Sequence, residues 1–115
     1  MLVDQAKRQL EEAYLTVSMA RSAGVTIAVG YDSGPPGTLA QEMIRLSHAG
    51  MSTIETIGAA TIGAAAALGR DDLGSIKRGS LADIVILASY PDQDLASLLK
   101  PEMINLVIKN GELIT

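Results

Sequence analysis

The segment 25–30, VTIAVG, restricts the fold of this chain more than any other part of its sequence. It is short, β-branched and apolar at both alternating positions, which predicts a strand over 25–29 that is covered on both faces. The preceding residues 4–23 carry apolar side chains at the spacing of one helix face, with Asp4 as the N-cap and Gly24 at the end. A helix followed directly by such a strand favours an α/β fold with a parallel sheet.

Two further helices are predicted after a loop rich in glycine and proline. Each begins at a capping box, in which a Ser or Thr and a Glu or Gln three residues later exchange hydrogen bonds with the backbone. The boxes are Thr38 with Gln41, for a helix to about Ala49, and Ser52 with Glu55, for a helix to Leu68. The second of these helices is rich in Ala and Gly nearly all round, so we expect it to pack closely against other backbone.

The remainder of the chain has a β-rich pattern. LGSIKRGSLADIVILA predicts a short strand, a Gly turn and a strong strand over 83–87, and residues 94–99 suit a short helical turn. INLVIKNGELIT predicts a hairpin whose turn, Asn110-Gly111, favours type I′. We therefore divide the chain into a helical, barrel-like part over 1–69 and a β-rich tail over 70–115.

The helical part lacks neighbours for its strand. Residues 1–69 offer only the strand over 25–29, whose two apolar faces and backbone donors need partners on both sides. Three sources remain open: the C-terminal strands of this chain, another subunit, or the rest of a larger fold.

Composition excludes several classes of function. The net charge of −4 has the wrong sign for tracking a phosphate backbone, and three Tyr with no Phe or Trp provide no stacking platform for nucleic acid. No stretch reaches the roughly 18 apolar residues that a membrane span requires, and the N-terminus has no signal-peptide pattern. The absence of cysteine removes disulfides and thiolate metal sites. We expect an unprocessed cytoplasmic protein with a small-molecule or protein partner, and no nucleic-acid or membrane partner.

Four segments in order, AGVTIAVGYDSG, LAQEMIRLSHAGMSTIETIGAATIGAAAALG, LGSIKRGSLADIVILASYP and VIKNGELI, resemble the C-terminal end of metal-dependent amidohydrolases. The likeness is to the imidazolonepropionase and Xaa-Pro-dipeptidase-like branch. It implies an α/β fold that is the C-terminal fragment of a (β/α)₈ barrel, with residues 25–29 as the eighth strand. The tail 70–115 would be the C-terminal portion of a small composite β-sandwich.

The same resemblance gives Asp32, in the loop YDSGPPG, a role. It implies that Asp32 matches the acid at the end of the eighth strand, which ligates a divalent metal, expected to be zinc, and takes a proton from the hydrolytic water. A divalent ion lowers the pKa of the water bound to it, and a nearby carboxylate can take the proton that this water releases. Barrel active sites lie at the C-terminal ends of strands, which agrees with this position. The family's His-x-His pair and its other ligands are absent, and the single histidine, His48, matches no family ligand.

Other interpretations of these residues remain open. Asp32 between two glycines also suits an Asx turn, and the loop before Thr38 suits a phosphate cradle, although Pro35 and Pro36 remove donors. Ser33 lies outside a G-x-S-x-G elbow, which argues against a nucleophile.

His48, near the end of its predicted helix, suits a partner for the helix dipole better than a metal ligand or a base. Arg70 with Asp71 and Asp72 suits a charged, solvated turn, because two adjacent loop carboxylates have no fixed separation.

The resemblance implies an ancestral metal-dependent hydrolysis of C–N bonds in small cyclic amides or dipeptide-like substrates. With Asp32 as its only candidate ligand, we expect the isolated chain to be inactive and to bind no metal, since catalytic zinc sites need about three protein ligands. Two alternatives stay open: a self-associating structural module, or one half of a split amidohydrolase completed by a complementary barrel chain.

Overall fold

The computed structural model describes residues 1–35 and 38–115. Within these residues the chain forms four α-helices, two short 3₁₀-helices and three strands. The helices are α1 (Leu2–Ser22), α2 (Thr38–His48), α3 (Thr53–Ala60) and α4 (Ile62–Ala67), the 3₁₀-helices are Leu95–Leu99 and Pro101–Met103, and the strands are β1 (Ile84–Leu87), β2 (Ile104–Lys109) and β3 (Glu112–Leu113). The mixture of helices and a small sheet agrees with the α/β class.

Helix α1 begins earlier than its sequence pattern predicts. Its N-cap is Met1, which makes no side-chain cap bond, so the prediction of Asp4 as the cap is wrong. Asp4 instead lies in the first turn, where a carboxylate interacts favourably with the positive end of the helix dipole. The helix ends as expected before Gly24, whose φ of +77° turns the chain away.

The segment 25–30 is not a strand of any sheet in the described part of the chain. The strand predicted over 25–29 is therefore not formed within this chain, because a strand forms only where another strand accepts and donates its backbone hydrogen bonds. The amide of Val29 instead donates to the carbonyl of Ala59 in α3, at 3.0 Å. Val25 remains 57% exposed, which leaves this apolar segment open to solvent on one side.

Helix α2 starts at Thr38, but the predicted capping box with Gln41 is wrong. Thr38 is the first residue of the helix, and its hydroxyl donates to the carbonyl of Pro35 rather than accepting from the helix. The second box is confirmed: Ser52 Oγ accepts from the Glu55 amide, and the Glu55 side chain accepts from the Ser52 amide.

The long helix predicted over 53–68 is interrupted. Thr61, with φ −122° and ψ −93°, separates α3 from α4, and its hydroxyl donates to the carbonyl of Ile57 at 2.8 Å. A threonine hydroxyl that bonds back along the helix favours such a break. The expected close packing is confirmed at Gly63, where an added Cβ would lie 2.4 Å from the carbonyl oxygen of Ile27.

The tail contains one antiparallel sheet in the order β1-β2-β3. Ile84 pairs with Ile108 and Ile108 with Leu113. The predicted type I′ turn is confirmed by positive φ at both central residues, +51° at Asn110 and +82° at Gly111. The strong strand forms as β1, one residue shorter than expected, and the helical turn as a 3₁₀-helix.

The predicted short strand before β1 is wrong, since residues 70–83 contain no strand. Gly74, with φ +78°, lies so close to the chain at Thr61 that a Cβ would be 2.5 Å from that carbonyl oxygen. The backbone at Gly74 therefore packs against the break between α3 and α4 at Thr61 and does not pair with a strand.

The core is small and much apolar surface stays exposed. Its buried apolar residues are Met43, Ala49, Met51, Ala59, Ala65 and Leu95. The accessible surface is 8149 Å², whereas a compact monomer of this mass exposes about 6000 Å². In the described ranges, no helix is long and apolar enough to cross a membrane.

Candidate functional site

Asp32 lies in an exposed loop, one residue after the apolar segment 25–30. Ser33 Oγ donates to its Oδ1 at 3.3 Å. The loop opens onto a polar cleft of about 710 Å³. The residues lining this cleft, which we call the Asp32 cleft, are Gly30, Tyr31, Asp32, Ser33, Thr38, Glu42 and Arg45.

The end of the loop is tied to the start of α2. The carbonyl of Pro35 accepts from Thr38 Oγ1 at 2.5 Å and from the Thr38 amide at 3.2 Å. Gly34 has a φ of +133°, and a Cβ there would lie 2.6 Å from Thr38 Oγ1. Only glycine fits this combination of backbone angle and space.

Glu42 and Arg45 line the same cleft and were missed by sequence reasoning. They follow Thr38 by four and seven residues, which places all three on one face of α2. Arg45 Nη1 donates to Glu42 Oε1, so each charge is already paired on the helix. The signal in the sequence was the i, i+3 pair of opposite charges on a helix beginning beside Asp32.

His48 does not line the Asp32 cleft. It lies in the last turn of α2, as predicted, and its ring makes an edge contact with Tyr14 of α1 at a centroid distance of 6.3 Å. This position favours the predicted structural role over that of a ligand.

The charged turn after α4 forms a bidentate ion pair. Arg70 Nε and Nη2 donate to the two carboxylate oxygens of Asp72, each at 2.7 Å. The hydrogen bonds from Arg70 lower the pKa of Asp72 below its usual value. Asp71 is exposed beside this pair, and neither aspartate lines the Asp32 cleft.

A model of the amidohydrolase family matches residues 3–114 of this sequence. The chain belongs to the amidohydrolase family. Among curated relatives of this amidohydrolase chain, ochratoxinase of Aspergillus niger is 35% identical over 97 residues, covering 82% of the chain and 20% of the relative. Imidazolonepropionase of Symbiobacterium thermophilum is 35% identical over 97 residues, covering 79% of the chain and 23% of the relative.

Solved structures of relatives share the fold of this amidohydrolase chain. The crystal structure of A. niger ochratoxinase matches with a TM-score of 0.81 and 31% identity, covering 89% of the chain and 24% of ochratoxinase. A Xaa-Pro dipeptidase with bound methionine in its active site matches with a TM-score of 0.75 and 36% identity, covering 87% of the chain and 25% of the dipeptidase. The chain thus spans about a fifth to a quarter of the length of its relatives.

Amidohydrolases generally bind a divalent metal ion. Within residues 1–35 and 38–115, no three His, Cys, Asp or Glu side chains group together in a way that would hold such an ion. In the Asp32 cleft the second carboxylate, Glu42, is bonded to Arg45, whose positive charge disfavours a cation beside it. The donors present therefore do not fit a complete metal site, and Asp32 offers one carboxylate.

Proposed function

We propose that this chain supplies the Asp32 carboxylate to the active site of an amidohydrolase that hydrolyses C–N bonds. The observation that carries the proposal is the position of Asp32, exposed directly after an apolar segment whose backbone has no strand partner in the described residues. Family membership and the names of the relatives support hydrolysis of a small cyclic amide or a dipeptide-like substrate.

The segment 25–30 is, on this proposal, a strand of a (β/α)₈ barrel, and residues 70–115 form part of a composite β-sandwich. The remaining barrel strands and any metal ligands then come from polypeptide outside this sequence, which in the split-enzyme alternative is a separate chain. The exposure of Val25 and the small core support a segment that is covered in the complete protein.

Asp32 has the chemistry for proton transfer in such a site. A carboxylate accepts a proton from the attacking water and returns it to the leaving nitrogen, provided that it is held within hydrogen-bond reach of both. Among the described residues that line the Asp32 cleft there is no second free carboxylate and no imidazole, so we propose that the isolated chain is inactive.

A chimera tests this proposal. The chain replaces the segment of A. niger ochratoxinase that it matches, and the purified chimera is assayed for ochratoxinase activity and, by mass spectrometry, for bound divalent metal. We expect activity and metal in the chimera and neither in the isolated chain. A chimera that folds cooperatively but has no activity would contradict the proposal, as would activity of the isolated chain.

The second candidate is a self-associating module. It is favoured by the exposed surface, which exceeds that of a compact monomer by roughly 2000 Å², an area in the range that stable interfaces bury. Light scattering on the isolated chain at micromolar concentration tests whether the self-associating module exists. A defined dimer or higher oligomer would support the module, and a stable monomer would eliminate it.

A further inference from the structure

We propose that Thr38 is a positioning residue for Asp32, because its side chain holds the loop that carries the carboxylate. The inference rests on the proposed function of Asp32 and extends it to a residue of α2.

The hydrogen bonds of Thr38 point to the loop rather than to the helix. A Thr hydroxyl at a helix N-cap accepts from a backbone amide of the first turn. Thr38 Oγ1 instead donates to the carbonyl of Pro35, which also accepts from the Thr38 amide. Removing the hydroxyl therefore leaves the hydrogen bond from the Thr38 amide to the Pro35 carbonyl in place. It takes away only one restraint on the loop.

Packing at Gly34 provides a second restraint from the same side chain. A Cβ on Gly34 would lie 2.6 Å from Oγ1 and 3.2 Å from Cγ2 of Thr38, so the threonine side chain occupies the space that a side chain at position 34 would need. Gly34 is two residues after Asp32, and the residue between them, Ser33, donates to the Asp32 carboxylate. Thr38 is thus linked to the carboxylate through two intervening loop residues, Gly34 and Ser33.

Helix α2 is a firm base for this restraint, because Met43 on the same helix is buried in the core. A carboxylate that transfers protons must be placed within about an ångström, and a displacement of that size costs up to about 100-fold in rate. Loss of the Thr38 hydroxyl is expected to reduce turnover without unfolding the protein.

The first test uses the isolated chain and does not depend on activity. Thr38→Val keeps the branched shape and removes the hydroxyl, while Thr38→Ser keeps the hydroxyl. Nuclear magnetic resonance then follows the Asp32 carboxyl carbon and the exchange of the Thr38 amide, which donates to the Pro35 carbonyl. We expect a shifted Asp32 signal and faster exchange of the Thr38 amide in the Val variant alone, at an unchanged melting temperature. Identical spectra in the Val variant and the parent would overturn the inference.

The second test measures kinetics in the ochratoxinase chimera. We expect Thr38→Val to lower kcat by about 10- to 100-fold with KM and bound metal unchanged, and Thr38→Ser to stay within about threefold of the parent. Gly34→Ala, which directs a methyl group at Thr38 Oγ1, should cause the same selective loss of kcat. Equal losses in the Val and Ser variants, or none in either, would overturn the inference.

The Asp32→Asn variant of the same chimera separates the two proposals. If that variant keeps full activity, the proposed function fails. If it is inactive while Thr38→Val is fully active, the function stands and only the positioning role fails.

Discussion

Arg21 at the end of α1 donates from Nε to Oε1 of Glu55 at the start of α3, at 2.9 Å, across a separation of 34 residues. The other oxygen of Glu55, Oε2, accepts from the Ser52 amide at 2.7 Å. One carboxylate therefore closes a capping box and also joins two helices that flank the segment 25–30 in sequence.

The pH dependence of stability follows from this pair. The hydrogen bond from Arg21, followed by that from the Ser52 backbone, lowers the pKa of Glu55 below its usual value. Hydrogen bonds from Lys109 and from the Asn110 backbone do the same for Asp83. A carboxyl with a depressed folded-state pKa stabilises the fold above its unfolded pKa, and that contribution is lost as pH falls through the folded pKa.

We therefore expect the melting temperature of the chain to be flat from pH 7 to about 5 and to fall below about pH 4, where carboxyl groups of ordinary pKa protonate. Circular dichroism at a series of pH values measures it. Arg21→Met should reduce the fall in melting temperature on acidification, with Arg8→Met on the exposed face of α1 as the control. A melting temperature that rises on acidification would contradict the assignment.

The Ser52 cap is expected to contribute about 1 kcal/mol to stability. Ser52→Ala removes the oxygen that accepts from the Glu55 amide, and loss of such a cap costs roughly 0.5 to 2 kcal/mol. Chemical denaturation of Ser52→Ala is compared with that of Ser22→Ala, an exposed serine at the end of α1. Equal free energies of unfolding in the two variants would show that the box does not form.

Two helical glycines give a matched pair for close backbone packing. Gly63→Ala would place a methyl group 2.4 Å from the Ile27 carbonyl oxygen, whereas nothing lies within 4 Å of a Cβ on Gly58. We expect Gly63→Ala to destabilise by about 1 to 3 kcal/mol and Gly58→Ala to be neutral or to stabilise by up to about 1 kcal/mol. Denaturant titrations measure both, and equal effects would mean that α4 does not rest on the segment 25–30.

The hairpin turn depends on left-handed backbone at Asn110, where φ is +51°. Asn110→Ala should cost roughly 1 kcal/mol, because residues with a Cβ other than Asn and Asp rarely adopt this region, and Asn110→Gly should cost little. Thermal melts of the two variants test this. A more stable Ala variant than Gly variant would contradict a type I′ turn.

Local signals in the sequence predicted the parts of the fold that depend on neighbouring residues. The capping box of Ser52 with Glu55 and the turn at Asn110-Gly111 are confirmed, because each is held by contacts within a few residues. Strand β1 is confirmed as well, although its partner β2 follows only after two 3₁₀-helices. The position of Asp32 in a loop after the apolar segment is also as predicted.

Features that depend on contacts distant in sequence were predicted less well. The residues of the segment 25–30 favour a β-strand, but no strand in the described residues pairs with them. β-propensity alone could therefore not decide the structure of this segment. Thr38 resembles an N-cap in sequence, but its hydroxyl bonds to Pro35 instead. The ion pair of Glu42 with Arg45 lies beside Asp32 because one face of α2 lines the same cleft as the loop, and this arrangement depends on tertiary contacts.

The kinetics of the Asp32→Asn variant in the ochratoxinase chimera test the central claim most directly. Asparagine preserves the size of the side chain and cannot accept a proton as a carboxylate does, and Asp71→Asn in the charged turn serves as the control. We expect kcat to fall by roughly 100-fold or more for Asp32→Asn and to remain within about twofold for Asp71→Asn. An Asp32→Asn chimera that turns over as fast as its parent would contradict the claim that this chain contributes the carboxylate of an amidohydrolase site.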